Sequence, residues 1–317
     1  MTRRRTKRLL IWVVVLVLLL VPVFGTYRYL AITAPSGAHT VAVEGWIPDE
    51  LMPTVKAEID RRGYTTVYTT GTVRPFSYYL KNGEAIDIVL STPVQGEVTL
   101  NVSGIGGAWF MLVTGIDTLM TTHVSGEARG FSTRLSEPVD HLRLISTSSY
   151  VPPALLDNIF VKYLRIDGVN VHRIARSVEF IHTDSTRAPA WPTYAHASAA
   201  HLERLGVEGE RIIIAPALDP TMSRTLANAE GFALRAQQDH VRQVDVLSLG
   251  VHARRSRKLY QQACGEEVDV GVIALLDPAA APGEWWKNPR GWYTVIKEMA
   301  LVPLSSFLEV ERTGEEP

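Results

Sequence analysis

The sequence predicts an α/β protein: a parallel sheet with helices on both faces, interrupted by an inserted antiparallel β-sandwich, after one N-terminal transmembrane helix. Three observations predict it. Residues 9–24, LLIWVVVLVLLLVPVF, carry no charge. Strand-like and helix-like segments alternate near residues 39–82 and again over 190–308, as in a sheet covered by helices. Between them, over 83–183, short alternating segments are separated by Gly, Pro or Ser, and no helix is expected there.

The apolar run is unstable in water, because its area favours transfer to hydrocarbon. Arg3, Arg4, Arg5, Lys7 and Arg8 precede it with no acid among them. That flank stays on the cytoplasmic side, which exports the rest of the chain. The run is short for a span, and residues 25–30 can lengthen it, with Tyr27 and Tyr29 at the headgroups and Arg28 snorkelling. The rival reading is a signal peptide cut near Ser36-Gly37-Ala38. Those small residues lie far from the apolar run, so residues 1–33 are read as a single-pass anchor.

Composition sets further bounds. The remaining length suffices for two domains with substantial cores. A formal net charge of −1 gives no basic face for nucleic acid. Cys264 is the one cysteine, which excludes an intrachain disulfide and a multi-cysteine zinc site. It falls on the inner side of LYQQACG and reads as a core residue. Residues 309–317 form an acidic tail without apolar periodicity.

The first α/β stretch reads TVAVEGWI as a strand buried on both faces, DELMPTVKAEIDRRG as a helix closed by Gly63, and YTTVYTTG as a strand. In the second, TYAHASAAHLERLG, SRTLANAEGFALRAQQ and HARRSRKLYQQACG are helices. RIIIAP, QVDVLSLG and VDVGVIAL are strands, and a last amphipathic helix covers 291–308. The first stretch is too short to fold alone, so both belong to one Rossmann-like domain split by the insert.

In such a sheet, ligands bind beyond the carboxyl ends of the strands. Glu44-Gly45 follows the first strand, and Thr70-Gly71 ends the second. His252, Arg254, Arg255 and Ser256 open the helix after QVDVLSLG, where the helix dipole favours an anion. Arg224 and Thr225 open another helix start. Arginines there are unfavourable without a negative partner, which points to a phosphate or carboxylate ligand, or to an internal carboxylate such as Glu44 or Asp219. His252 is the candidate general acid or base. Trp285 is a candidate pocket wall, although a Trp-Trp pair before a final helix also seals a domain edge. SGIGG lies in the β region with no helix after it and reads as a turn. G-x-S-x-G, H-E-x-x-H and phosphate-loop motifs are absent, so catalysis is left open.

VEGWIPD, YTTVYTTG, SRT-x-x-NA, LGVHARRS, VDVGVIAL and the Trp pair resemble the DUF218 superfamily, the ElyC/SanA/YdcF group of bacterial envelope proteins. The resemblance covers about residues 39–80 and 190–305. It implies a Rossmann-like fold and a role in envelope or lipid-carrier biology, with the group's recurring His and Arg falling on His252 and Arg255 and its Arg-Thr start on Arg224 and Thr225. Ser223 and Leu226 flank that pair here, in place of the acid or aromatic frequent in the group.

The insert is similar to calcium-dependent xylan-binding modules of family 60, carried by VTLNVSGIGGAWFMLVTGIDTLMTTHVSG and LLDNIFVKYLRIDGVNV. That resemblance implies a small sandwich gripping sugar hydroxyls partly through calcium. Asp117, Asp157 and Asn158 are the carbohydrate-binding candidates, but STSSYVPPALLDN is otherwise poor in acids, which argues against the calcium. Together these features lead to the expectation of a membrane-anchored envelope protein. It binds an anionic glycan precursor or phosphorylated carrier, and processing of that ligand is left open. The alternative is a non-catalytic extracytoplasmic carbohydrate-binding or scaffolding protein.

Overall fold

The computed structural model describes residues 25–105, 107–115, 117–124, 126–148, 157–218 and 223–305. The expected span at 9–24 and the acidic tail lie outside them. Among the described residues no helix is long and apolar enough to cross a membrane.

Two compact units form, one from the residues up to Thr72 together with those from Ser198 onward, the other from Val73–Ala197. In chain order the first unit begins with β1 (Thr40–Glu44), α1 (Met52–Arg62) and β2 (Thr66–Thr72). The second contains β3 (Tyr78–Leu80), β4 (Ala85–Ile105), β5 (Ala108–Thr114), β6 (Asp117–His123) and β7 (Arg129–Ser148). It continues with β8 (Asn158–Ile166), β9 (Val169–Asn170), α2 (Val171–Ile174), β10 (Ala175–Ile181) and β11 (Arg187–Pro189). After α3 (Tyr194–Arg204) come β12 (Ile212–Ala217), α4 (Arg224–Gln238), β13 (Gln243–Leu249), α5 (Ala253–Cys264), β14 (Asp269–Leu275) and α6 (Pro289–Leu304).

The first unit is built on a five-stranded parallel sheet in the order β12-β2-β1-β13-β14. The chain winds outward from β1 one way through β2 and β12, and the other way through β13 and β14. Val41, Val43, Leu247 and Ile273 point to one face, where α1 supplies Met52, Val55 and Ile59 and α3 supplies Leu202. Ala42, Val244, Val246 and Val270 point to the other, where α4 supplies Leu226 and Phe232 and α5 supplies Leu259 and Tyr260. Burial on both faces is why these strands read as nearly continuous apolar runs. The helix ends carry their own signals: Gly63 closes α1 at φ 66°, and Ser223 and Asn288 cap α4 and α6 through their side chains.

The second unit is one nine-stranded antiparallel sheet. Two expectations change here. The segments IDIVLS and GEVTLNVSG are one strand, β4, which continues through irregular pairing between Val89 and Gly96. The paired strand β7 likewise merges two expected strands. A bulge bends a strand and strengthens its twist without ending it. Ile86 and Ile88 before the bulge and Val98 and Leu100 after it consequently face one shared core. The insert is therefore a continuous sheet wrapped on its core, wider than 83–183 at both ends, and it contains one short helix, α2, that was not expected.

Residues 25–38 correct a third expectation. Residues 25–30 are helical, but Tyr27 and Leu30 are buried against Val251, Trp285, Val295 and Val302 of the first unit. Tyr27 is thus packed in protein, and Tyr29 remains exposed. Ala34 then pairs antiparallel with Val272 of the edge strand β14. Ser36 donates from its backbone N–H (2.7 Å) and hydroxyl (2.9 Å) to Oδ1 of Asp245, whose Oδ2 accepts from the Tyr64 hydroxyl at 2.7 Å. Gly271 makes room for this strap, since a Cβ there would lie 2.0 Å from Asp245 Oδ1.

Asp245→Ala leaves the two Ser36 donors of the strap and the Tyr64 hydroxyl without their carboxylate. It is expected to lower the unfolding free energy by about 3 kcal/mol in urea titration and to open residues 31–38 to protease. Unchanged stability and unchanged cleavage would show that Ala34 pairing alone holds the strap.

Candidate functional site

The winding direction reverses between β1 and β13, and it is beyond the carboxyl ends of strands at such a reversal that open parallel sheets bind ligands. β1 runs into Glu44-Gly45-Trp46. Gly45 passes so close to β2 that a Cβ would lie 2.1 Å from the Thr70 carbonyl oxygen and 2.8 Å from Gly71 Cα, which no side chain tolerates. Thr70 Oγ1 donates to the Val43 carbonyl at 3.2 Å and lies 3.1 Å from the Tyr260 hydroxyl. Glu44, Gly45, Thr70 and Gly71 are thereby gathered at one place.

Glu44 is fully buried. Its Oε2 accepts from the Ser256 hydroxyl at 2.9 Å, and Ser256 Oγ lies 3.0 Å from Ser248 Oγ. Oε1 has no hydrogen-bond partner among the described residues. Burial raises the Glu44 pKa above its ordinary value, and the nearby Ser248, Trp46, Ser256 and His252 only partly oppose it. A carboxyl in this setting favours its neutral form and can donate as well as accept.

Beside it, His252 Nδ1 lies 2.8 Å from Oε1 of Glu298, a residue of α6 with no exposed surface. Arg255 closes a two-pronged pair on the same carboxylate, through Nε to Oε2 at 2.7 Å and Nη2 to Oε1 at 3.1 Å. Burial pushes the Glu298 pKa up, but His252 and Arg255 outweigh it and hold it at about 2. The His252 ring meets Trp46 edge-on, with centroids 4.8 Å apart. A carboxylate at Nδ1 fixes the ring's orientation and leaves Nε2 for proton transfer.

The other candidates separate. Arg255 is 11% exposed, and its guanidinium serves Glu298. The Arg254 guanidinium stacks 3.9 Å over the Tyr29 ring and donates to the Tyr29 carbonyl, so it braces residues 25–30. Arg224 is exposed at the start of α4, on the same carboxyl edge of the sheet, and has no partner among the described residues, while Thr225 behind it is buried. Trp285 packs with Tyr27 and Val295 and meets Trp286 and Trp292 edge-on, which places it in the cluster that seals α6.

In the antiparallel unit, Asp157 is buried and accepts from the Gly107 N–H at 2.8 Å and from the Ser148 hydroxyl. Asn158 donates to the Tyr79 hydroxyl at 2.6 Å. Asp117 is exposed at the far end of β5 from Ala108, about 20 Å along the strand from Gly107 and Asp157. These three residues do not form one ligand set, which corrects their grouping. The Asp157 carboxylate already holds protein donors, and no group of three His, Cys, Asp or Glu among the described residues could hold a metal ion. The donor set does not fit calcium.

Glu298 and Ser248 were not among the expected site residues. Glu298 had a readable signal, because it is the one acid on the buried stripe Gly291, Val295, Glu298 and Val302 of an amphipathic helix. Its partners could not be read, since they lie far away in sequence.

No family model matches the chain, and no curated protein does. Among solved structures, the C-terminal domain of EclA, a sugar-binding protein, is similar at 15% identity over 29% of this chain and 78% of its own, with a TM-score of 0.22. A family two carbohydrate esterase from Clostridium thermocellum, in complex with cellohexaose, is similar at 7% identity, covering 73% of this chain and 95% of its own, TM-score 0.21. One from Cellvibrio japonicus reaches 8% over 74% and 92%, TM-score 0.22. Likenesses of this extent carry no argument about the site, which is read from its own residues.

The two buried carboxyls give opposite pH signatures. Glu298 lies below its ordinary value in the folded chain, so it stabilises the fold above pH 4.5, and that contribution is lost as pH falls through about 2. Glu298→Gln is expected to cost about 3 kcal/mol near neutral pH and to flatten the acid limb of the stability profile. Glu44 lies above its ordinary value, so its contribution weakens as pH rises. Glu44→Gln is expected to leave stability unchanged in acid and to raise it toward alkaline pH. Urea unfolding across pH measures both, and a shared sign for the two variants would contradict this assignment.

Proposed function

We propose that the chain is a membrane-anchored envelope protein that binds a phosphorylated glycan precursor or carrier at the carboxyl edge of its parallel sheet. Residues 9–24 are its anchor, with the N-terminus cytoplasmic and the two units on the opposite side. The basic-flanked apolar run and the resemblance to the DUF218 group support that placement. The observation that carries the site is the pairing of His252 with buried Glu298 beside a buried Glu44 whose Oε1 is unmatched. In this reading Arg224 and the first turn of α4 hold the anion. Neutral Glu44 keeps its proton in the buried hydroxyl cluster with Ser256 and Ser248, and His252 Nε2 gives or takes a proton.

The antiparallel unit holds glycan on the cross-strand pair Tyr79 and Phe160, both exposed, with Asn158 fixing the Tyr79 hydroxyl. Aromatic faces of this kind suit the apolar face of a sugar ring.

One observation favours the second reading, a carbohydrate-binding scaffold without catalysis: Arg255, an expected anion ligand, is committed to Glu298. Thermal unfolding of the full chain in detergent separates the two. Phosphorylated sugars, a short polyprenyl phosphate and neutral oligosaccharides are added in turn. A ligand at about 100 times its Kd stabilises the fold by about 2.7 kcal/mol. The first reading expects a shift with phosphorylated ligands that is lost in Arg224→Ala and retained in Tyr79→Ala. Shifts with neutral oligosaccharides alone, lost in Tyr79→Ala and untouched by Arg224→Ala, would leave the scaffold.

A further inference from the structure

Helix α6 has a buried side and an apolar exposed side. Gly291, Val295, Glu298 and Val302 face the protein. Trp292, Tyr293, Ile296, Met299 and Leu304 face outward, Tyr293 at 68% and Ile296 at 57% exposure. The exposed charges on this helix are Arg290 and Lys297, and its one acid, Glu298, is turned inward. Aromatic and aliphatic residues with basic neighbours and no exposed acid are the composition of a helix lying in a membrane interface. In water the same face is an unfavourable exposure of large apolar side chains.

The chain's own path names what covers it. Gly25, Thr26 and Tyr29 line a cavity of about 640 Å³ together with Lys258, Met299, Val302 and Pro303, so residues 25–30 run beside the C-terminal half of α6. The apolar run ends at residue 24. Gly25 follows it directly, and the helix rises about 6 Å from Gly25 to Tyr29, so the end of the run lies within about 10 Å of Tyr29. A bilayer holding residues 9–24 can therefore lie no further than that from this end of the α6 face. Lys258 in the cavity wall and Arg254, stacked on Tyr29, add cations there.

We propose that α6 lies flat in the headgroup region of the bilayer through Trp292, Tyr293, Ile296 and Met299, with Arg290 and Lys297 at lipid phosphates. The inference rests on the reading of residues 9–24 as an anchor.

Spin labels in the full chain test it. In a Cys264→Ser background, Ile296→Cys and, on α4, Leu234→Cys are labelled separately. Each protein is reconstituted into vesicles of phosphatidylethanolamine and phosphatidylglycerol. The label at 296 is expected to lose accessibility to a water-soluble nickel chelate and keep it to oxygen, while the label at 234 stays open to nickel. Carbonate-resistant protein whose 296 label stays open to nickel overturns the inference and leaves the anchor standing. A 296 label closed to both reagents overturns it too, since protein then covers the face. Release of the protein by carbonate removes the anchor reading, and the inference falls with it.

Discussion

A carboxylate sealed from water has to be matched where it lies, and in the parallel-sheet unit that carboxylate is Glu298. Leaving it or Arg255 alone in that setting costs several kcal/mol, so α6 can dock only where both Arg255 and His252 reach it. The near end of the helix is fixed as tightly, because Gly291 lies against the Trp285 backbone, where a Cβ would approach the Trp285 carbonyl oxygen to 2.1 Å. Two constraints seven residues apart set the rotation of α6 about its axis. That rotation decides which way His252 is held and which residues of α6 face outward.

The same pair explains why the arginine-rich start of α5 is tolerated. A cation at a helix N-terminus opposes the dipole and calls for an anion. For Arg255 the anion is Glu298, supplied by the protein, and for Arg254 the compensation is the Tyr29 ring and carbonyl. The electrostatic argument from sequence was sound in requiring a partner, and it did not require that the partner be a ligand. What remains at these strand ends is a contrast between two buried carboxyls. Glu44, among hydroxyls, has its pKa raised, while Glu298, between a guanidinium and an imidazole, has its pKa lowered. Environments that push two acids apart in this way separate a proton-holding group from a charged one.

The alternation of apolar strands and capped helices made the parallel unit legible, because burial on both faces and a glycine or serine at a helix end are local in sequence. The convergence of Glu44, Gly45 and Thr70 followed from the strand ends alone. The antiparallel unit was less legible for an equally physical reason. STPVQ looks like a turn between strands, yet the chain continues through it as a bulge, and pairing with β7 decides that. Tyr27 and Leu30 follow the apolar run closely, and Arg28 between them can snorkel, so nothing local distinguishes the end of a membrane span from the first residues packed in protein. Asp117 and Asp157 share a residue type and a motif neighbourhood, but strand register sends them to opposite ends of β5.

Residues 25–30 also set how far the His252 loop can lie from the end of the apolar run. Tyr27 shares a buried cluster with Val251, the residue before His252, and its hydroxyl would lie 3.3 Å from a Cβ on Gly250. From Gly25 to Tyr27 the helix rises only about 3 Å. If residues 9–24 are held in a bilayer, the loop that carries His252 is held within a short reach of its surface. A soluble glycan gains nothing from that proximity. A phosphate on a lipid tail gains a great deal, because confining both partners to one surface raises their effective concentration without any new contact. Within the function proposed above, the placement of residues 25–30 therefore suits a carrier-linked ligand better than a free one.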